Sequence, residues 1–206
     1  MRIRIKAKRF FVESTVMIIL LAFPQLSRAA GATPIDIIQS GTAKVISILR
    51  ESEMGKAPPL KQRENEVLKV VSNYFDFDEM AKMALGYSWK QQTPQKREEF
   101  AGLFKKLLFN TYVDRMENYH NQQIIYDSQT ISGNLARVRT HFVNNGESVP
   151  IDYLLKKEGA QWKVYDVVVE GISYDQNYRA QISAILANNS FETLLGMLRA
   201  KVGQHG

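Results

Sequence analysis

The sequence contains no cysteine among its 206 residues. This absence excludes disulfide bonds, zinc sites built on thiolates, thiol nucleophiles and lipid attachment to an N-terminal cysteine. Histidine is scarce as well, since the chain has only His120, His141 and His205. No two of these have the spacing of metal ligands, so the sequence predicts no zinc or iron site and no metal cofactor.

The sequence also lacks the motifs of common catalytic and nucleotide-binding sites. It contains no Gly-x-Ser-x-Gly, no phosphate-binding glycine loop and no Gly-x-Gly-x-x-Gly. Asp166 is the exception, because alternation predicts that it faces the interior together with Trp162, Val164 and Val168. A buried carboxylate has a raised pKa and can act as a general base. We favour the other interpretation, in which Asp166 accepts hydrogen bonds from backbone amides or a tyrosine. Arg179 is a candidate partner for Asp166 or for a ligand phosphate, and the sequence leaves both roles open.

Excess positive charge is confined to the N-terminus. The formal net charge is +6 and the isoelectric point is about 9.4. Residues 1–32 hold six basic residues and one acidic residue, which leaves 21 basic and 20 acidic residues, a net charge of +1, in the rest. We therefore expect no binding of nucleic acid.

The same N-terminal segment has the layout of a secretory signal peptide. A basic start is followed by a continuous apolar run over residues 16–23 and by small residues at 29–32. The apolar run is shorter than the roughly 20 residues that span a bilayer, although an uncleaved anchor stays open. We predict cleavage after Ala29 or Ala32, a signal peptide over residues 1–32 and a periplasmic mature chain over residues 33–206.

The hydrophobic period of the mature chain predicts helices, then a sheet, then helices. Helical starts are indicated at Thr33-Pro34 and Thr93-Pro94. From residue 123 the period becomes two, Asn144-Asn145-Gly146 predicts a hairpin, and the last helices are predicted over residues 175–187 and 191–202. The fold class is therefore α+β, a single domain with one antiparallel sheet of about four strands wrapped by helices from both chain ends.

Both faces of the predicted sheet carry apolar side chains. Val164 and Val168 are predicted to point one way, whereas Tyr165, Val167 and Val169 point the other way. Two explanations stay open, an ordinary core on both sides or an apolar cavity between sheet and helices. Periodicity alone favours the ordinary core.

Two long segments carry a family resemblance. The first is FDFDEMAKMALG at residues 75–86, followed by Trp89 and Thr93-Pro94. The second runs from WKVYDV at residues 162–167 through Gly171-Ile172-Ser173 to Asn177-Tyr178-Arg179. In order and spacing they resemble the MlaC-type proteins, the toluene-tolerance auxiliary family, over essentially the whole mature chain. Position 174 departs from the family pattern, because it is tyrosine in place of an aliphatic residue.

The resemblance implies a carrier and not an enzyme. Such proteins move phospholipid through the periplasm between the inner and outer membranes and maintain outer-membrane lipid asymmetry. The implied partners are phospholipid, an inner-membrane ABC transporter complex with an MCE-domain ring, and an outer-membrane lipoprotein complex, with no cofactor. Acyl chains are expected in an apolar cavity between sheet and helices, with the head group towards solvent.

The predicted directions of the side chains, together with the architecture of the family that the sequence resembles, predict ten lipid-binding residues. From α-helix to strand to C-terminal segment they are Phe104, Leu108, Tyr112, Val138, Tyr153, Val164, Val168, Ile172, Tyr178 and Ile182. The alternatives are a small periplasmic enzyme of isomerase or dehydratase type that uses Asp166 in an apolar pocket, and a structural adaptor whose apolar surfaces are fully packed.

Overall fold

Helices and strands follow one another in the predicted order. The computed structural model describes residues 31–53, 59–117, 123–144 and 146–204. The predicted signal peptide, apart from residues 31 and 32, lies outside the described residues. The elements are α1 (Pro34–Glu53), α2 (Leu60–Tyr74), α3 (Phe77–Leu85), α4 (Tyr87–Lys90), α5 (Pro94–Glu117), β1 (Gln123–Ser132), β2 (Leu135–Asn144), β3 (Glu147–Glu158), β4 (Gln161–Val169), β5 (Ile172–Ser173), α6 (Tyr174–Leu186) and α7 (Phe191–Gly203).

The strands form one antiparallel sheet in the order β1-β2-β3-β4-β5. The predicted α+β class is confirmed, with five strands in place of about four. The extra strand, β5, is only two residues long and follows a tight turn with positive φ at Glu170 (51°) and Gly171 (82°). Within the described ranges, no helix is both long enough and apolar enough to cross a membrane.

Local capping explains where several helices begin and end. The side chain of Asp76 accepts a hydrogen bond from the backbone N–H of Glu79 at 2.9 Å, which starts α3. Gly86 ends α3 with φ at 59°. An ideal Cβ at Gly86 would lie 3.0 Å from the Nε of Arg179, so glycine also gives this arginine its space.

The described chain packs around two apolar cores. The helical core joins α3, α5, α6 and α7 around residues such as Phe100 and Leu195, which are fully buried. The sheet core lies between α1 and the sheet and includes Ile38 and Val138. Phe75 packs against both cores, and the backbone beside it bonds to β4. This short segment therefore connects the helical core to the sheet.

Strand β4 contains a bulge at Tyr165. Leu155 lies opposite Val164, and the neighbouring Leu154 lies opposite Asp166, so Tyr165 has no opposite residue on β3. Since Leu154 and Leu155 point to opposite faces, the bulge puts Val164 and Asp166 on opposite faces as well.

The bulge corrects the predicted facing of β4. Val167 and Val169 share a face with Val164, whereas Val168 shares the other face with Asp166. The prediction that Val164, Asp166 and Val168 lie in one row is therefore wrong. Simple alternation fails here because one extra residue shifts the side-chain period by one position.

Candidate functional site

The face of the sheet that packs against α1 is named here the core face. Because directly opposite residues in a sheet point to the same side, the register defines four rows across it. Row one is Ile124, Phe142 and Val149; row two is Tyr126, Thr140, Ile151, Val169 and Ile172; row three is Gln129, Val138, Tyr153 and Val167; row four is Ile131, Ala136, Leu155 and Val164.

Burial changes along the core face. Ala136, Leu155 and Val164 in row four are buried in the sheet core, whereas Ile131 at the β1 end of that row is 50% exposed. All three members of row one are only half-buried, as are Ile151 and Val169 in row two. The side chain of Ile172, at the edge of row two, is 60% exposed. The described residues thus cover row four tightly on β2, β3 and β4, and they leave the row-one end of this apolar face partly open.

Such an open apolar end is typical of a ligand site. Partly covered apolar surface costs free energy in water, and a grouped patch of it usually marks a surface that binds something. The side chains in row one are aliphatic or aromatic, and row two adds Ile151 and Val169. This arrangement can hold hydrocarbon and contains no group suited to bond cleavage.

Tyrosine provides the polar groups beside this surface. Burial, together with the neighbouring hydroxyls of Tyr126 and Tyr174, raises the pKa of Tyr153 to about 12. Tyr153 therefore stays neutral and remains an O–H donor across the physiological pH range. Thr140 is buried between these tyrosines in the sheet and donates its hydroxyl hydrogen to the carbonyl of Ile151 at 2.9 Å.

The structure places four of the ten predicted site residues among the helices that form the helical core. Phe104, Leu108 and Ile182 are buried there, and the ring of Tyr178 meets Phe104 edge-on with 5.3 Å between ring centroids. A fifth, Tyr112, belongs to α5, but its side chain lies outside the described residues.

The other five predicted residues belong to the sheet. Val138, Tyr153 and Val164 lie on the core face, and Ile172 stands at its exposed edge. Val168 lies on the opposite face, because the extra residue Tyr165 shifts the alternation of side chains along β4 by one position. The prediction missed the open end of the core face, namely Ile124, Phe142, Val149, Ile151 and Val169. The alternation of apolar residues along β3 was the signal that could have found part of it.

Asp166 is held in place by three hydrogen bonds. Its carboxylate accepts from the backbone N–H of Val167 at 2.8 Å and of Asp175 at 3.0 Å, and from the hydroxyl of Ser173 at 2.6 Å. Asp166 therefore ties β4 to β5 and to the start of α6. The favoured interpretation, acceptance from backbone amides, is confirmed, with a serine in place of the tyrosine.

The outer face of the sheet carries a separate groove next to Asp166. Its volume is about 320 Å³, and its lining includes Val168, Leu154 and the ion pair between Arg137 and Asp152, whose atoms are 3.1 Å apart. The groove is half-open and is lined by charged as well as apolar side chains, so it lacks the apolar enclosure that a lipid chain requires.

Asp175 is the second buried carboxylate of this region. Its side chain lies at the first turn of α6, and its Oδ1 atom has no hydrogen-bond partner among the described residues. Burial and the adjacent Asp166 raise its pKa to about 6, although Arg179 acts in the opposite direction. In the described ranges, no group of three or more histidine, aspartate or glutamate side chains is arranged to hold a metal ion.

Comparison with known proteins identifies the fold and family. The family model described as MlaC protein matches residues 39–200. The chain belongs to the MlaC family. This result confirms the resemblance that the two sequence segments indicate.

Two relatives illustrate the similarity of this MlaC-family chain to named proteins. The toluene tolerance protein Ttg2D of Pseudomonas putida is 30% identical over 179 residues, covering 84% of this chain and 82% of that protein. The intermembrane phospholipid transport system binding protein MlaC of Haemophilus influenzae is 25% identical over 211 aligned positions, covering 97% of this chain and 96% of the other.

A solved structure shares the MlaC-family fold. The phospholipid-binding protein from Ralstonia solanacearum, solved in complex with a phospholipid, superimposes with a TM-score of 0.76 at 25% identity. The match covers 84% of this chain and 98% of the Ralstonia chain. The similarity therefore extends over nearly the whole of that lipid-binding domain.

Proposed function

We propose that this protein is a periplasmic carrier that binds phospholipid and shuttles it between the inner and outer membranes. The observation that carries this proposal is the open end of the core face, where rows one and two present apolar side chains that the described residues leave half-covered. The family membership and the phospholipid bound to the Ralstonia protein support the same ligand class.

The energetics of lipid transfer fit such a surface. Each buried methylene is worth about 0.8 kcal/mol, so two acyl chains of roughly 16 carbons cost on the order of 25 kcal/mol in water. A carrier must cover nearly all of that surface, yet it must not bind more tightly than the membranes at either end. Apolar contacts resemble the bilayer interior and satisfy both conditions.

The proposed wall of the lipid site combines two sets of residues. From the sheet we propose Phe142, Val149, Ile151, Val169 and Ile172 in rows one and two, with Val138 and Tyr153 in row three and Val164 in row four of the same face. From the helices we keep Phe104, Leu108, Tyr112, Tyr178 and Ile182. Val168 is left out, since it faces the outer groove.

The partners follow from the transport system to which a relative belongs. The Haemophilus relative is named as the binding protein of an intermembrane phospholipid transport system. We propose that this chain exchanges lipid with an inner-membrane ABC transporter complex bearing an MCE-domain ring and with an outer-membrane lipoprotein complex. The basic, apolar and then small residues of segment 1–32 support export, with cleavage near Ala29 or Ala32.

We do not propose catalysis for this chain. The general-base interpretation needs a carboxylate that is free to take a proton from a substrate. Asp166 instead accepts three hydrogen bonds from its own fold, and its neighbours line a polar groove on the outer face.

Two adjacent valines provide a matched test of the lipid site. Val169→Trp fills space on the core face, whereas Val168→Trp puts the same side chain into the outer groove of about 320 Å³. The full-length sequence is expressed in a Gram-negative host, and the exported protein is purified without detergent and measured by native mass spectrometry. We expect Val169→Trp to lose most of the bound phospholipid and Val168→Trp to retain it.

Two results would contradict the proposal. One is a wild-type protein that carries no lipid and takes none from vesicles of phosphatidylethanolamine and phosphatidylglycerol. The other is equal lipid occupancy in both variants, with circular dichroism showing that both are folded.

A further inference from the structure

Strand β5 is a weakly held edge of the sheet. It consists of Ile172 and Ser173, and in the described sheet it pairs only with β4, at Val168 and Val169. The turn before it has positive φ at Glu170 (51°), a backbone conformation that residues other than glycine rarely adopt. A segment with so few ladder bonds at the edge of a sheet has a low free energy of local opening.

Hydrogen bonds to Asp166 hold β5 and the start of α6 against β4. The Ser173 hydroxyl donates to Oδ2 of Asp166 at 2.6 Å, and the backbone N–H of Asp175 donates to Oδ1 at 3.0 Å. The Ser173 oxygen also accepts from the backbone N–H of Gln176 at 3.1 Å and so caps α6. The bond between Ser173 and Asp166 is named here the latch, because it joins β5 to β4 through side chains.

Two features make the latch able to open. Asp166 and Ser173 both line the half-open outer groove, so water is available to replace either partner. Next to Asp166 lies the buried carboxyl of Asp175, whose Oδ1 atom has no hydrogen-bond partner among the described residues. When both carboxylates are ionised they repel each other, which lowers the free energy needed to separate β5 and α6 from β4.

The latch determines the position of an apolar side chain at the lipid site. Side chains alternate along β5, so Ser173 bonds on the outer face while Ile172 stands on the core face. Ile172 lies beside Val169 in row two and is 60% exposed there. The closed latch therefore keeps an isoleucine at the edge of the open apolar surface.

On the basis of the proposed carrier function, we propose that the latch between Asp166 and Ser173 is the gate through which phospholipid enters and leaves the site. Opening releases β5 from β4 and uncovers Val169 at the edge of the sheet. Closing returns Ile172 to row two. Asp166 and Ser173 are thus positioning residues that set the rate of lipid exchange. A gate changes the rates of entry and exit by the same factor, so it leaves the amount of lipid bound at equilibrium unchanged.

Two helix-capping serines provide a matched test. Ser173 and Ser190 each accept a hydrogen bond from a backbone N–H at 3.1 Å at the start of a helix, but the Ser190 hydroxyl contacts Thr193 in place of a carboxylate. Wild type, Ser173→Ala, Ser173→Thr and Ser190→Ala are loaded with deuterated phosphatidylethanolamine. They are then mixed with vesicles of unlabelled phosphatidylethanolamine and phosphatidylglycerol. Native mass spectrometry over time gives the exchange rate and the total occupancy.

We expect Ser173→Ala to exchange lipid about tenfold faster than wild type, the factor by which loss of a hydrogen bond to a charged group shifts an opening equilibrium. Occupancy should stay within about twofold, because the apolar contacts with the lipid are unchanged. Ser190→Ala also loses a helix cap and should be destabilised in urea, yet it should exchange at the wild-type rate. Ser173→Thr keeps the hydroxyl and should restore the wild-type rate.

A reversible disulfide keeps the test decisive if Ser173→Ala does not fold. The chain has no cysteine, and Val168 lies directly opposite Ser173 at a separation that a disulfide spans. The double variant Val168→Cys with Ser173→Cys is loaded with lipid and oxidised, which links β5 to β4 across the latch. We expect its exchange to be at least about tenfold slower than after reduction with dithiothreitol, because the link prevents β5 from leaving β4.

Different outcomes separate the two proposals. Wild-type exchange in Ser173→Ala, equal acceleration in Ser190→Ala, or equal rates in the oxidised and reduced double variant overturn the gate and leave the carrier function standing. A Ser173→Ala protein whose occupancy falls as its release rate rises also overturns the gate, because it indicates a residue that holds lipid. A wild-type protein that takes up no lipid overturns both proposals.

Discussion

Replacing Asp175 with asparagine should make the protein more stable at neutral pH. The Asp175 side chain is buried, with 5% of the residue exposed, and its Oδ1 atom has no hydrogen-bond partner among the described residues. Burial and the neighbouring Asp166 raise its pKa from 3.8 to about 6. The ionised form is therefore less favourable in the folded chain than in the unfolded chain.

The sign and size of the effect follow from linkage. Below about pH 3 the group is protonated in both states and contributes nothing. As the pH rises from about 4 to about 6, only the unfolded state ionises readily, so the free energy of unfolding falls. At about 1.4 kcal/mol per pKa unit, the loss at pH 7 is at most about 3 kcal/mol. Asparagine cannot ionise, so Asp175→Asn should recover about 1–3 kcal/mol.

The assay is urea unfolding followed by circular dichroism at several pH values between about 2.5 and 8. We expect Asp175→Asn to exceed wild type at pH 7.5, and we expect the difference to fall below about 1 kcal/mol near pH 4 and to vanish below about pH 3. A difference that does not change with pH, or a variant that is less stable at pH 7.5, would refute the reasoning. Asp36→Asn is the opposite control, because hydrogen bonds from Thr33 lower the pKa of Asp36. That variant should be destabilised at neutral pH, and its deficit should shrink as the pH falls through the lowered pKa.

Two further predictions concern the helical core. Gly86→Ala should lower the free energy of unfolding by at least about 1 kcal/mol, because φ is 59° and the new Cβ would meet Arg179; an unchanged urea midpoint would contradict this. Leu195→Ala should cost about 2–5 kcal/mol, since the side chain is fully buried and leaves a cavity. Ala180→Gly, at an exposed site in α6, is its control and should cost no more than about 1 kcal/mol.

The helices and the fold class could be predicted because their signals are local. Asp76 and Ser190 were recognisable as caps, since a short polar side chain before an apolar period satisfies the first backbone amides. The succession of antiparallel strands followed from the change of the hydrophobic period to two residues and from the turn residues between the strands. These features depend on residues that are close in sequence, so the sequence alone is enough to predict them.

The open end of the core face could not be predicted, because it depends on residues that are distant in sequence. Nothing about Tyr165 marks it as a bulge, since it is an ordinary strand residue that becomes unpaired only through the register of β3. Strand β5 has two residues, which is too short for any periodicity to show. Ala136, Leu155 and Val164 in row four are buried whereas row one is half-buried, and this difference depends on what packs against the sheet from elsewhere in the chain. Hydrophobicity along a strand does not contain that information.

The bulge at Tyr165 determines how β4 responds to insertions and deletions. A substitution in the strand changes one side chain, and the other side chains stay on the same face of the sheet. Loss of Tyr165 itself would remove the bulge and leave Val164 and Asp166 as consecutive residues on opposite faces, each with the same partner on β3. Gain of one residue after Asp166, without a second bulge, would instead move Val168 to the core face and Val169 to the outer face. Position 165 is therefore the place in β4 where the chain can lose a residue and keep the faces of all the residues that follow.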